Sequence, residues 1–394
     1  MTEKLFQLNP YMKTCKAKVE KIEGNKVVLD RTIFAPEAGG QASDTGTIAG
    51  VRMIHAEESG GTVLHEVENL TAEIKEGAEV ELTLDWDNRF DHMQNHLGEH
   101  ILSGILFTEH GIPNKGFHLG SEFSTLDAGM KQMPPEMVAD LELKANKVVY
   151  QALPVQIEMI ESREEAEKLP LRKELKVDED ISVVTIPGVD CVACCCPHPA
   201  DTSQVGIIKI IKAENYKGMT RIYFKCGLRA LMDYRLKHDI VTTLNKKNSS
   251  EDETLLENIK IQENKLNNAR RDLHTMKVRF AQIEAEALVK SAEDEAGPVK
   301  ALFKEYEDYS LEDLKVLGKQ VTELTDLPVI VSSLSSMTVI LTHSGKSGFR
   351  CGHIVRDFAS GFGGKGGGGD SLAQALFKDV EVMRNFIQIV KASV

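Results

Sequence analysis

The sequence predicts a multidomain α+β protein. In order, it should hold a small N-terminal β-barrel, an α+β domain built on a histidine-bearing helix, a long coiled-coil helix and a C-terminal α/β domain with a glycine-rich stretch. Three observations carry this reading. Short β-branched segments alternate up to about residue 85, and the period turns helical at Trp86. An apolar seam spaced alternately four and three residues then runs from Leu255 to Ala287, with no Gly or Pro before Gly297. At 394 residues the chain has material for two to three domains. The expected boundaries are 1–88, 89–250, 251–295 and 296–394.

Composition narrows the class. No stretch of about 18 apolar residues is present, so no membrane span is expected, and Met1 to Leu5 lacks a signal-peptide pattern. The seven cysteines, four of them between Cys191 and Cys196, argue against a disulfide framework and for a reducing, cytoplasmic setting. A net charge of −13 argues against a polyanionic partner on average. The stretch 205–248 reverses the sign, with ten Lys/Arg against three acids. It follows the cysteine cluster and suits a polyanion led toward that cluster.

Along the chain, 17–22, 26–29, 62–67 and 79–84 read as strands separated by turns. Between them, Gly39 and Gly40 allow close backbone approach to a ligand. From Trp86 to about Glu109 a helix carries His96 and His100 one turn apart on one face, close enough to share an ion. A second helix is expected over 134–153 and a strand over 181–186, leading into Cys194-Cys195-Cys196-Pro197-His198. Cys194 and His198 repeat the four-residue spacing. With His96 and His100 they make a His, His, Cys, His set suited to tetrahedral Zn²⁺, one per chain, with Cys195 or Cys196 as alternatives to Cys194. His96-Leu97-Gly98-Glu99-His100 also reads as H-x-x-E-H, a peptidase signature in which Glu99 would be the general base.

Further strands are expected over 205–211 and 220–224. The heptad seam needs a second apolar surface, either a partner helix or a homodimer through the coiled coil or C-terminal domain. The last hundred residues return to strands over 327–332 and 337–342 and to a helix over 371–392. The glycine-rich 361–370 between them reads as a loop that binds an anion or backbone.

Four blocks, in order, resemble one family, the long-form alanyl-tRNA editing proteins of the AlaX type, similar to the editing and C-terminal domains of alanyl-tRNA synthetase. They are Leu29 to Gln41, Phe90 to His100, Cys194 to His198 with Thr220-Arg221-Ile222, and the glycine-rich 363–370 leading into Ala373-Gln374-Ala375. The last resembles the terminal domain shared with DHH-family phosphoesterases (DHHA1-like). The family's usual Thr and Gln are here Leu97 and Glu99, a third glycine is replaced by Ala38, and Thr202-Ser203-Gln204 departs from its Thr-Gly-Glu.

The resemblance implies a zinc-binding editing domain at 89–250 and a tRNA-binding domain at 296–394. The implied activity is hydrolysis of tRNA(Ala) charged with the wrong amino acid, chiefly serine and secondarily glycine. It implies Thr32 and Gln41 as catalytic-pocket residues, with Thr32 holding the serine hydroxyl. Gly39, Gly40 and Arg221 would contact substrate, and Lys365, Gly366, Gly367 and Gly368 would contact tRNA. Alternatives are a zinc-containing tRNA-binding protein of reduced catalysis, or the H-x-x-E-H peptidase.

Overall fold

The computed structural model describes residues 1–175, 178–294 and 300–394. The chain is a multidomain α+β protein that divides into two compact units, Met1–Thr243 and Leu244–Val394. The expected boundary between 295 and 296, and Gly297 itself, lie outside the described residues.

Six strands of the first unit close into a barrel, in the order Thr14–Glu23, Lys26–Leu29, Thr62–Val67, Val51–Ser59, Gly46–Ile48 and Glu79–Leu84. Period-two patterning decides which face is inside. Val80, Leu82 and Leu84 are buried while Glu79, Glu81 and Thr83 between them are exposed. Two of these strands, Gly46–Ile48 and Val51–Ser59, are additional to those expected from sequence. Ala49 and Gly50 join them, both at positive φ (48° and 76°), as a two-residue hairpin requires. Alanine is a poor marker for such a turn.

The next helix, Trp86–His110, starts from Asp85, whose carboxylate caps the Asn88 amide at 3.2 Å, and ends at the left-handed Gly111. In its first turn Arg89 reaches back into the barrel. Its guanidinium pairs with Asp44 and donates to the Ile33 carbonyl at 2.6 Å and the Pro10 carbonyl at 3.0 Å, and both charged side chains are fully buried. Asp44 also accepts the Ala35 amide at 2.5 Å. This pair fixes where the helix leaves the barrel.

The helix is then buried on nearly every side. Two glycines let its neighbours in: a Cβ at Gly98 would meet Cys226 Sγ at 2.3 Å, and one at Gly104 would meet the Val189 carbonyl at 2.4 Å. One neighbour is a four-stranded antiparallel sheet, Ile208–Tyr216, Met219–Cys226, Ser124–Ala128 and Asn114–Leu119. Leu97, Ile101 and Ile105 share a core with Leu126, Ile222 and Phe224 of that sheet and with Leu141 and Val149 of the helix Pro135–Tyr150. A separate three-stranded sheet, Gln156–Ser162, Glu179–Ile186 and Asp190–Ala193, delivers the chain to Cys194.

In the second unit, the helix Leu255–Glu293 runs for 39 residues. Ala281 and Ala285 pack against Leu314 and Leu317 of the helix Leu311–Leu324. The seam residues Leu266, Leu273, Met276, Phe280 and Ile283 are exposed. A five-stranded sheet follows, ordered Leu302–Tyr306, Val329–Ser333, Thr338–Thr342, Leu372–Leu376 and Lys365–Gly368. This corrects two expectations. The glycine-rich stretch contains an edge strand, and the terminal helix begins at Val380 because 372–376 is a strand with Ala373 and Ala375 turned into the core. Its Leu/Ala/Gln composition favours helix, but its burial alternates with period two. No helix among the described residues is long and apolar enough to cross a membrane.

Replacing Arg89 with Leu should leave the Asp44 carboxylate buried without a counter-charge. The expected loss is about 3–5 kcal/mol, read as a lowered urea midpoint for the first unit. A wild-type midpoint would show that this pair does not anchor the helix.

Candidate metal centre

Helical spacing places His96 and His100 on one face, and the turn after Asp190–Ala193 brings Cys194 and His198 to meet them. The four donor atoms lie within 4.8 Å of one another, in a group of which only Cys194 is more than slightly exposed. Tetrahedral zinc with nitrogen and sulfur bonds requires donor separations of roughly 3.3–3.6 Å. Here the His100 and His198 Nε2 atoms are 3.3 Å apart, and Cys194 Sγ is 3.6 Å from His96 Nε2. These two separations and the three-imidazole, one-thiolate donor types suit zinc, and all four donors lie within 4.8 Å of one another.

What lies behind the donors also fits. His96 Nδ1 meets Gln41 Oε1 at 2.8 Å, and His100 Nδ1 meets Asp190 Oδ2 at 3.0 Å, so both rings direct Nε2 toward the shared centre. A hydrogen bond from the Cys196 thiol, with the nearby His96 and His198, holds the Cys194 pKa well below the usual thiol value, which favours a thiolate ligand. Cys196 is the reverse case, raised by those same cysteine contacts and by burial, and it stays a thiol. Burial keeps His198 neutral, with a pKa lowered to about 4. Burial also opposes charge on His100, but Asp190 and Cys194 outweigh it and raise the pKa to about 10. A metal bound there displaces that proton.

The centre opens on a cavity of about 650 Å³, lined also by Gly39, Gly40, Glu99, Lys115, Phe117 and Arg172. Such a volume suits a small-molecule moiety. Gly40 sits at φ +85°, and a Cβ there would stand 2.5 Å from the Phe117 carbonyl. Gly40 can lie against the strand Asn114–Leu119 only because it has no side chain, and Gln41 after it is aimed at His96.

Other sequence-predicted residues fall elsewhere. Thr32 is fully buried on the barrel side, with its hydroxyl 2.8 Å from His65 Nε2 and accepting the Phe34 amide at 3.1 Å. His65 Nδ1 lies 3.1 Å from the Val27 carbonyl, an arrangement in which Nδ1 donates, so the Thr32 hydroxyl gives its proton to His65. Thr32 does not line the cavity. Arg221 forms a two-pronged pair with Asp127, at 2.7 and 2.8 Å, and stacks over Tyr216; it too is outside the cavity lining. Lys365, Gly366, Gly367 and Gly368 form the exposed edge strand of the second unit.

The basic stretch 205–248 is largely neutralised. Lys209, Lys212, Arg221, Lys225, Arg229 and Lys237 are each paired with an acid. Glu99 is buried, which pushes its pKa up, but His100, Arg172 and the Ser103 hydroxyl outweigh this and hold it below the usual carboxylate value. Its Oε1 accepts from both Ser103 and Asn114. That engages one oxygen of the H-x-x-E-H glutamate in the structure and makes its carboxylate a weaker base. Asp190 and Arg172 were missed by sequence reasoning. Only the position of Asp190, four residues before Cys194, could have flagged it.

Two family descriptions match the chain: "tRNA synthetases class II (A)" over residues 2–88, and "Threonyl and Alanyl tRNA synthetase second additional domain" over residues 181–223. The alanyl-tRNA editing protein AlaX-L of Pyrococcus horikoshii is 29% identical over 392 residues, covering 95% of this chain and 94% of that one. The alanyl-tRNA editing protein AlaX-M of Methanosarcina barkeri is 35% identical over 239 residues, covering 57% of this chain and 98% of that one. The alanine–tRNA ligase of Pyrococcus abyssi is 29% identical over 406 residues, which span 99% of this chain but 43% of the ligase. With cavity, donor cluster and relatives in agreement, the chain belongs to the family of alanyl-tRNA editing proteins.

Proposed function

We propose that this chain is a trans-editing hydrolase that deacylates mischarged tRNA(Ala), chiefly Ser-tRNA(Ala) and secondarily Gly-tRNA(Ala), at a zinc-containing site. The observation that carries the reading is the donor cluster on the wall of a cavity sized for an aminoacyl end. The chemistry supplies the need. An alanine pocket cannot exclude glycine by size and rejects an added hydroxyl by only about a hundredfold, so a second, hydrolytic site must do the rejecting.

The reaction adds water to the acyl carbon and releases the ribose oxygen. Zinc held by His96, His100, Cys194 and His198 would supply a fixed positive charge at the cavity wall. Gly39 and Gly40 admit the ester close to the backbone. Gln41 holds His96, which makes it a positioning residue. Thr32, already bonded to His65 and Phe34, supports the segment that leads toward the Gly39-Gly40 turn and is not a free hydroxyl donor to substrate. Lys115 on the cavity lining suits an anionic backbone. Lys365 to Gly368 and the rest of the second unit are assigned to tRNA contact, and the chain serves this function in four parts, 1–88, 89–250, 251–295 and 296–394. The set of four protein donors favours one second reading, a tRNA-binding protein with structural zinc and little catalysis.

Two measurements test this. Purified protein should carry about one zinc per chain, and His96→Ala or Cys194→Ala should lose it; full occupancy in both variants would refute the ligand assignment. Serine and alanine release should be timed on separately charged tRNA(Ala). Wild type should release serine far faster than alanine, and Glu99→Gln should retain that activity. No serine release by zinc-loaded wild type would favour the binding-only reading. Loss in Glu99→Gln together with peptide cleavage by wild type would favour the peptidase.

A further inference from the structure

Three imidazoles meet at the metal centre, and they are not held alike. His198 Nδ1 is buried with no hydrogen-bond partner among the described residues, His96 is held by a neutral amide, and His100 is held by a buried carboxylate that belongs to a larger assembly. Asp190 Oδ2 meets His100 Nδ1 at 3.0 Å and Arg172 Nη2 at 3.1 Å, while Oδ1 accepts Arg172 Nε at 2.6 Å. The Asp190 and Arg172 side chains are 1% and 3% exposed, so neither charge is solvated from outside; Arg172 is the permanent cation beside Asp190, and it also faces the buried Glu99 carboxylate at 3.8 Å. The Arg172 amide also donates to the Cys191 carbonyl at 2.8 Å. The loop carrying Arg172 is thereby fastened to the strand Asp190–Ala193, three residues before the ligand Cys194.

We propose that Asp190, braced by Arg172, is a positioning residue of the metal centre: it fixes His100 with Nδ1 protonated and Nε2 directed at the metal, and sets the approach of Cys194. A neutral imidazole can present either nitrogen, and the hydrogen bond to one decides which is free to ligate. The Asp190 carboxylate has only acceptor oxygens to offer His100, so the Nδ1–H tautomer is the one it selects. Arg172 occupies Oδ1 and shares Oδ2, which stops the carboxylate rotating away. A single bridge thus ties one ligand on the helix Trp86–His110 to the segment bearing another.

This rests on the metal reading above, and its test is zinc affinity at fixed pH, measured by competition with a chromogenic chelator. Asp190→Ala should weaken zinc binding by about 10–100-fold and change the visible bands of the Co²⁺-substituted protein. Asp190→Asn keeps an oxygen for the Nδ1–H and should restore most of both. A merely structural ion pair would lower the melting temperature of the metal-free protein and leave affinity and Co²⁺ spectrum unchanged; that result in folded Asp190→Ala overturns the proposal. Should Asp190→Ala not fold, ¹⁵N-histidine spectra of zinc-loaded wild type decide it. His100 with a protected Nδ1–H supports the assignment, and His100 protonated on Nε2 overturns it. A wild type that binds no zinc refutes the metal reading itself, whereas zinc binding indifferent to Asp190 refutes this inference alone.

Discussion

Four donor atoms, from three imidazoles and a cysteine, held within 4.8 Å of one another are costly to assemble, because each polar group gives up water there. The architecture of the first unit is largely the means of doing so. One helix supplies two donors at a spacing its backbone dictates. Gly98 and Gly104 let the sheet and the strand Asp190–Ala193 press against that helix, which brings the other two donors within reach. The buried Arg89–Asp44 pair sets the angle at which the helix leaves the barrel, and so where the Gly39-Gly40-Gln41 turn falls relative to His96.

Much of this was legible in the sequence, for a local reason. The spacings His96/His100 and Cys194/His198 lie within single segments, so a linear reading finds them, and the Gly39-Gly40 pair marks its own turn. What was not legible depends on partners distant in the chain. Thr32 looks like an available hydroxyl until His65, 33 residues away across the barrel, is seen to take its proton. Arg221 looks like a substrate contact until Asp127 occupies it. The cations of 205–248 look like a track for a polyanion, but several of their counter-charges, Asp91, Asp127 and Glu142, come from outside that stretch. Asp190 offers only its place four residues before Cys194, and Arg172 carries no local signature of what it holds.

The second unit shows the same limit from the other side. Composition favoured helix over 371–376 and a loop over the glycines, but pairing of Leu372–Leu376 with Thr338–Thr342 decides the first and pairing of Lys365–Gly368 with Leu372–Leu376 decides the second, since a sheet edge accepts side-chain-free residues and the strand inside it buries every second residue, Ala373 and Ala375. The long helix keeps its heptad pattern, buries its small Ala281 and Ala285 and the seam residue Leu255, and leaves Leu266, Leu273, Met276, Phe280 and Ile283 of the seam exposed.

The central claim is that His96, His100, Cys194 and His198 together bind one zinc ion. X-ray absorption at the zinc edge tests it directly. The account predicts three nitrogen scatterers at about 2.0–2.1 Å and one sulfur at about 2.3 Å, with the sulfur lost in Cys194→Ser. Two or more sulfurs in wild type, or a sulfur shell that survives Cys194→Ser, would contradict it.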